Sequence, residues 1–441
     1  MMTPRATIAR VTGLYLGADF FRFWLATTAA LFGSSFGLIV IPLLASIVLR
    51  ASAAQIGLIG FLELAPYLAF GLLVGGLVDR VPRRRLMIAS HVLRAAVLTV
   101  IPVTAAIGVL RVGLLYGISF AFGSLTLLFD VAHQTFLPGL VGKERLLEAN
   151  GRMQFSRSSA ELSGPGLAGV VVQLVTAPFA LIVNAVSFVG AAVLLGTVGK
   201  EAPAREREQV AAAGSHTVIR DMRDGIALVM RDSTLRALAW SLAALYFFIT
   251  AMTPLIILFT SRTLRLAPEM IGIAYAVGGA GTLVGAVINV GLIRRFGLNK
   301  VMPLAAMTAA LGPLCVAVAG RSTVFPLLLL GQTMTGAGGT VFAVAQVSLR
   351  QYVTPPNLLG RMNGTMRFLS IGGRAIGTLA AGFVASTIGL RPTIACSVLG
   401  GLVAVTCILT SPIARLHDLR GAARPAEEPA AHDALTPEPA A

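Results

Sequence analysis

The sequence predicts an all-α polytopic membrane protein of twelve spans, arranged as two parallel six-helix repeats. Three observations lead there. Of 441 residues, 56% are hydrophobic and only 12% charged, whereas soluble domains carry about a quarter charged residues. The apolar runs suffice for about a dozen spans of roughly 20 residues each. Between two of them lies a short basic turn, Gly75-Gly76-Leu77-Val78-Asp79-Arg80-Val81-Pro82-Arg83-Arg84-Arg85. Arginine is costly in hydrocarbon and accumulates on the cytoplasmic side. A weaker copy, Gly291-Leu292-Ile293-Arg294-Arg295-Phe296-Gly297-Leu298-Asn299-Lys300, lies 215 residues further on.

Composition closes off other classes. A net charge of +16 and a pI near 11.1 would suit nucleic acid, but the basic residues occupy short turns between apolar runs rather than one soluble face. They read as topology signals and as contacts to anionic membrane lipid, with no nucleic-acid partner. Cys315, Cys396 and Cys407 fall inside apolar runs without metal-ligand spacing, so neither a metal site nor a disulfide framework is expected. Met1 to Ala18 is basic but lacks a short apolar core with a cleavage site, so the first span should stay uncleaved.

Taken in order, span one covers about 23–48, span two 54–78 and span three 86–110, and span four ends near Leu137. Past Lys143, Glu144 and Arg145, span five begins near Met153. Only Thr176-Ala177-Pro178 separates it from span six, which fades at Gly199. These make a first bundle, residues 1–198. In the linker, 199–236, a charge run is followed by Val218, Met222, Ile226 and Val229 at helical spacing. An amphipathic helix on the membrane surface and a soluble linker helix both fit. A second bundle, 237–411, holds spans at roughly 237–259, 270–293, 301–319, 324–349, 368–388 and 390–410. Residues 412–441 are rich in Ala, Pro and Glu and are expected to form a disordered cytoplasmic tail.

The repeat extends beyond hydropathy. Asn150-Gly151-Arg152-Met153-Gln154-Phe155 matches Asn363-Gly364-Thr365-Met366-Arg367-Phe368 at an offset of 213, and Gly164 and Gly169 then meet Gly377 and Gly382. An even number of spans precedes the second copy, so the halves run parallel. Basic residues cluster in the turns after spans two, four, eight and ten. Both termini and the linker are therefore expected on the cytoplasmic side of a cell membrane.

Twelve spans in two halves, with G-x-x-x-D-R-x-x-R-R after span two, resemble the major facilitator superfamily of secondary transporters. Phe21-Arg22-Phe23-Trp24-Leu25, Leu64-Ala65-Pro66-Tyr67-Leu68 and Asp79-Arg80-Val81-Pro82-Arg83-Arg84-Arg85 are similar to its enterobactin-exporter and macrolide-efflux branch. Pro82 departs from the glycine usual there and stiffens the turn. The resemblance implies that Asp79, with Arg80, Arg83 and Arg84, closes the cytoplasmic side by pairing across the halves near the start of span eleven. The plainer alternative is that Asp79 only neutralises nearby arginines. Gly164-Pro165-Gly166-Leu167-Ala168-Gly169 resembles the span-five motif of drug/proton antiporters, which favours export, although Ala168 stands where glycine is usual. Proline removes a helix hydrogen bond and glycine admits a close neighbour, so Gly164, Pro165 and Gly169 are expected to pack against Gly272 and Gly279. Small-residue packing without a functional meaning is the alternative.

Ionisable residues inside spans are few. Arg94 and Asp130 are each about 13 Å from the cytoplasmic end at 1.5 Å per residue. Arg157 and Glu161 share a face of span five, and Arg374 is the repeat-equivalent of Glu161. These read as a cytoplasmic gate network or as structural ion pairs. Glu63 lies near the midplane of span two with no basic residue at matching depth in the first half, and its repeat-equivalent is Gly278. Burial disfavours a carboxylate, so Glu63 is the first candidate proton carrier, followed by Asp130 and Glu161; a merely tolerated, protonated Glu63 is the alternative. His91 and His133, near span ends, are expected to be interfacial.

The resemblance places a substrate cavity between spans one, four, seven and ten, with Thr28, Phe32, Phe36, Thr126, Tyr246, Thr250 and Gln332 among its candidates. An aromatic, weakly polar lining suits a bulky amphipathic solute. No phosphate-binding loop is present, so a proton gradient rather than ATP or a bound cofactor is the expected energy source. A membrane enzyme or receptor does not explain the duplication. The expectation is a non-enzymatic, monomeric, proton-coupled efflux transporter of small drug-like or siderophore-like molecules. The alternatives are a lipid or siderophore facilitator without proton coupling, and a transporter-like sensor that moves nothing.

Overall fold

The computed structural model describes residues 17–71, 74, 78, 81–199, 218–355 and 358–417. Among them every regular element is helical, and helices satisfy their own backbone polar groups in hydrocarbon. Eleven helices are long and apolar enough to cross a membrane. In the first half they are span one Ala18–Val48, two Ala53–Phe70, three Arg83–Ala106, four Val112–Val141 and six Ala177–Gly196. In the second they are span seven Ser233–Thr263, eight Pro268–Phe296, nine Leu298–Ala317, ten Val324–Val353, eleven Leu359–Ile388 and twelve Leu390–Leu409. Span five, Leu146–Val175, completes the twelve at 30 residues; its serines, Arg152, Arg157 and Glu161 dilute its apolar character. The helices of spans five and eleven begin at Leu146 and Leu359, well before the apolar windows at Met153 and 368, because the helix continues through polar first turns.

Local signals set several starts. Ser52 caps span two reciprocally with Gln55, the hydroxyl accepting from Gln55 N at 3.2 Å and the Gln55 amide oxygen accepting from Ser52 N at 2.8 Å. Asp232 accepts from the Thr234 and Leu235 amides, both at 2.9 Å, and so starts span seven at Ser233 rather than 237.

The duplication reaches individual backbone angles. Spans one and seven both end in a π turn, Leu44–Val48 and Phe259–Thr263, followed by left-handed arginines, Arg50 at φ 47° and Arg265 at φ 58°. Spans five and six turn at Thr176 with φ 70°, and spans eleven and twelve at Gly389 with φ 92°. Where the halves meet, the contacts are also paired. A methyl group on Gly57 would lie 2.8 Å from Gly382 Cα and 2.7 Å from the Thr378 carbonyl, joining spans two and eleven. A methyl on Gly272 would lie 2.9 Å from Gly169 Cα and 2.5 Å from the Pro165 carbonyl, joining spans eight and five.

The two ends of the molecule differ. At the end remote from the basic turns, one hydrophobic core runs unbroken from the first bundle into Leu255, Phe259, Ile271 and Ala381 of the second. Ser46 and Ser261 hydroxyls meet at 2.8 Å there, and Arg262 donates to the Ala51 and Arg50 carbonyls at 2.8 and 2.9 Å. At the basic end the second bundle has a separate core, including Leu298, Phe342, Leu349 and Met366. The halves are thus sealed at the far end and only loosely joined at the basic end.

Two expected boundaries shift. The linker helix, Val218–Arg231, docks against the start of span eleven: Gly225 lies against the Arg361 carbonyl and Asp224 pairs with Arg361 at 3.5 Å. Its inward face is Gly225 and buried Val229, while Ile226 is exposed. The chain after 411 does not become disordered at once. Pro412–Arg415 forms a 3-10 turn, Ile413 is fully buried, and the carbonyls of Leu416 and His417 accept from the Asn299 and Leu298 amides at 3.0 and 2.9 Å. These amides open span nine and lack intrahelical partners, which explains why the segment folds back. The remainder of the expected tail, the charge run of the linker, and Asp79 and Arg80 of the expected gate lie outside the described residues.

Candidate functional site

A central cavity of about 90 Å³ lies between the halves just below the far-end seal. Span one lines it with Ser34, Gly37, Leu38, Ile41 and Ala45, one face at helical spacing. Thr28, Phe32 and Phe36 fall on other faces, since Phe32 and Phe36 are each two positions, about 200°, from Ser34 at 3.6 residues per turn. The Thr28 hydroxyl donates to the Trp24 carbonyl at 2.7 Å and to Ser156 at 2.8 Å, and Phe36 is buried in the first bundle. Thr126 donates back to the Phe122 carbonyl at 2.7 Å, and Tyr246 packs against the second bundle's own core. Of the seven cavity candidates only Thr250 borders the central cavity; Gln332 lines an adjoining one of about 110 Å³ that Thr250 and Thr253 share. The lining helices are one, two, four, six, seven and eleven rather than one, four, seven and ten.

Span seven is broken where it meets the cavity. Its α-helix ends at Phe248, a 3-10 turn covers Thr250–Met252, and a new helix starts at Thr253. Pro254, with no amide hydrogen, cannot bond the turn before it. Tyr275 of span eight donates to the Thr253 carbonyl at 3.3 Å. Unwound backbone beside a mid-membrane cavity presents polar groups to a solute.

Glu63 faces this cavity, and so does Arg374 of span eleven. The counter-charge absent from the first half is supplied by the second. The two sequence-chosen residues thus come together across the interface, with no direct hydrogen bond or ion pair between them among the described residues. Span four makes room for this stretch of span two: bare Gly123 lies against the Glu63 carbonyl. Asn184 of span six reaches the same cavity through span one, where methyl groups on Gly33 and Gly37 would lie 2.7 and 2.9 Å from its amide atoms. Neither Asn184 amide atom has a hydrogen-bond partner among the described residues, although the residue is only 1% exposed.

One helical turn toward the basic end, a second polar contact crosses the halves. Tyr67 donates to Asp130 Oδ2 at 2.9 Å, and Arg367 of span eleven donates to the same oxygen at 3.4 Å. Below it a cavity of about 270 Å³ opens between spans two, four and eleven, lined by Tyr67, Leu127, Gln134, Thr135 and Arg367. Asp130 was legible as an intramembrane acid; its partners were not. Tyr67 is four residues after Glu63 and Arg367 seven before Arg374, so both share a face with a residue already singled out. That spacing was the available signal.

The other expected gate residues lie elsewhere. Arg83 donates to the Thr135 carbonyl at 3.2 Å, and Arg84 to the Leu195 carbonyl at 2.9 Å and to that of Gly196. Arg84 thus caps the end of span six, where carbonyls lack partners and cations are favoured, and Arg83 ties span three to span four inside the first bundle. Arg94 is 2% exposed inside that bundle, its guanidinium 4.9, 5.3 and 5.7 Å from the Phe129, Phe188 and Phe122 rings. Desolvated cation–π contact accounts for its position better than pairing with Asp130. His91 is fully buried, 4.4 Å from Phe129, and His133 stacks on Phe23 at 5.2 Å, so neither histidine is interfacial. Arg157 and Glu161 are exposed on span five. Pro165, Gly169, Gly272 and Gly279 form the span five–eight contact, Gly279 against Leu162 Cα, while Gly164 packs on Ser35 of span one inside its own half. Among the described residues no cluster could hold a metal ion.

Residues 15–438 match the family described as "Transmembrane secretion effector", a branch of the major facilitator transporters. The chain belongs to the major facilitator superfamily. It is 25% identical to macrolide efflux protein A of Streptococcus pyogenes over 77% of this chain and 83% of that one. It is 25% identical to the enterobactin exporter EntS of Salmonella choleraesuis over 79% and 82%. An uncharacterized transporter of the superfamily from Sinorhizobium fredii is 28% identical over 59% of this chain and 64% of its own length, less than two thirds. The crystal structure of the nucleoside transporter NupG superposes with a TM-score of 0.72 at 12% identity, covering 89% and 98% of the two chains. The major facilitator fold, multi-pass membrane insertion and a role as a transporter, not an enzyme, follow.

Proposed function

We propose that this transporter is a proton-coupled exporter of bulky amphipathic small molecules, drug-like or siderophore-like, working by rocking of its two bundles about the central cavity. The basic end faces the cytoplasm of a cell membrane by the distribution of arginine and lysine, so the present state is closed to the outside. The observation that carries the reading is the placement of Glu63 and Arg374 on opposite halves of one cavity. Parting the far end separates them. Glu63 then meets outside water without its counter-charge and takes up a proton as the solute leaves. Closing the far end returns Arg374 to the cavity wall opposite Glu63, and the proton departs toward the cytoplasmic side. The halves exchange one closure for the other, so proton and solute cross in opposite directions.

Support for the solute class comes from the lining. Leu38, Ile41, Ile56, Ile59 and Phe122 are interrupted by a few polar groups, the pattern of a site that sets orientation with few hydrogen bonds. At about 90 Å³ the cavity has room for about three waters, so a bulky solute enters only when the basic end parts. The efflux roles named for the streptococcal and Salmonella relatives point the same way. The test compares intracellular accumulation of a panel of amphipathic dyes and antibiotics in cells with and without the protein, before and after collapse of the proton gradient. Lower accumulation that a protonophore abolishes is expected. Accumulation that is unchanged, or lowered regardless of the gradient, would contradict the proposal.

A further inference from the structure

Outside the transport interface, spans eight and nine both pack on span ten but scarcely on each other. A groove of about 360 Å³ opens between them on the outer surface of the second bundle, at its basic end. Ile288, Leu292 and Phe296 form one wall, Leu304 and Ala305 the other, and Val341 of span ten the floor. The wall residues remain open: Leu304 is 69% exposed, Phe296 47% and Ile288 42%. The polar lining residues are Lys300, at the mouth, and Thr308, whose hydroxyl is committed to the Leu304 carbonyl at 2.8 Å. Arg295 lies over Phe296 of the groove wall, its guanidinium 5.4 Å from that ring.

Neither cation forms an ion pair with a carboxylate among the described residues. An apolar slot lined by Lys300, with Arg295 over its Phe296 wall, matches one amphiphile in shape and sign. Basic pockets between membrane helices take anionic head groups for that reason. A transported solute has no cause to lie there, since the groove is on neither side of the bundle interface. We infer that the groove binds an anionic phospholipid, with an acyl chain between spans eight and nine and its phosphate on Lys300 and Arg295.

The test uses the purified full-length chain in detergent. Phosphatidylglycerol and phosphatidylcholine with identical acyl chains are titrated, and bound lipid is counted by native mass spectrometry. One tightly retained phosphatidylglycerol is expected, favoured about tenfold or more over phosphatidylcholine, as two interfacial cations imply. Joint Arg295→Gln and Lys300→Gln substitution should remove that preference, and Lys300→Gln alone should reduce it. Ala337→Leu, which fills the groove, should weaken retention of both lipids while elution volume and helicity stay unchanged. Equal retention of the two lipids by the parental protein would overturn the inference. So would a preference that survives the double substitution, or displacement of the lipid by soluble glycerol phosphate, which has no chain to fill the slot.

Discussion

Glu63 and Tyr67 lie one turn apart on span two, and Arg374 and Arg367 two turns apart on span eleven, so two groups of facing polar residues are stacked along one interface. The outer one, Glu63 with Arg374, faces the central cavity. The inner one is the Tyr67–Asp130–Arg367 cluster, with Asp130 and Arg367 side chains 36% and 49% exposed. A partly exposed ion pair is worth about 0.2–1 kcal/mol, a shift in population of up to about fivefold. Asp130→Asn should therefore open the basic end modestly and leave membrane insertion intact. Labelling of a cysteine placed at Gly364, beside the inner cavity, should rise by about that factor, and Tyr67→Phe should have a smaller effect in the same direction. An unchanged labelling rate would remove this cluster from the closing contacts.

At the scale of helices, close approach of glycines holds the far end shut. Gly272→Val places two methyl groups where Gly169 Cα and the Pro165 carbonyl already lie, and overpacking typically costs about 1–3 kcal/mol. That cost falls on the sealed state, so the variant should shift toward outside opening by about fivefold or more. Gly57→Val, at the paired contact of spans two and eleven, should act alike. A cysteine at Thr378, reached only when the far end parts, should then be labelled faster by an impermeant reagent added outside. The span five–eight contact was legible because glycine and proline in a span mark a close neighbour whatever the helix's rotation; the Gly57 contact of spans two and eleven is not among the expected contacts. The phase of span one was not legible. Its residues are apolar around the whole circumference, and without an amphipathic stripe nothing in sequence says which face turns inward. That is why Thr28, Phe32 and Phe36 are expected on the cavity, whereas Gly37, Leu38 and Ile41 line it. The Glu63–Arg374 encounter was half legible: both charges stood out in apolar runs, but their meeting depends on how the two bundles are docked.

Over the whole molecule the internal duplication would serve the proposed rocking as its hinge. Paired offsets recur in the basic turns, the π turns, the left-handed arginines and the glycine contacts, so opening one end by rocking relaxes equivalent contacts in both halves together. Cysteines at Ser46 and Ser261, whose hydroxyls meet at 2.8 Å, should form a disulfide under mild oxidation, stop transport, and release it on reduction. Single cysteines at Gly142 and Arg391 should report the orientation, only the second reacting with an impermeant reagent outside intact cells. The most direct test is made with Glu63→Gln protein in proteoliposomes, following a fluorescent amphipathic dye that the parental protein concentrates under an imposed pH gradient. Glutamine mimics the protonated carboxyl, so gradient-driven accumulation should vanish while dye exchange without a gradient continues. Accumulation by the Glu63→Gln protein at the parental rate would contradict proton coupling through Glu63 and Arg374.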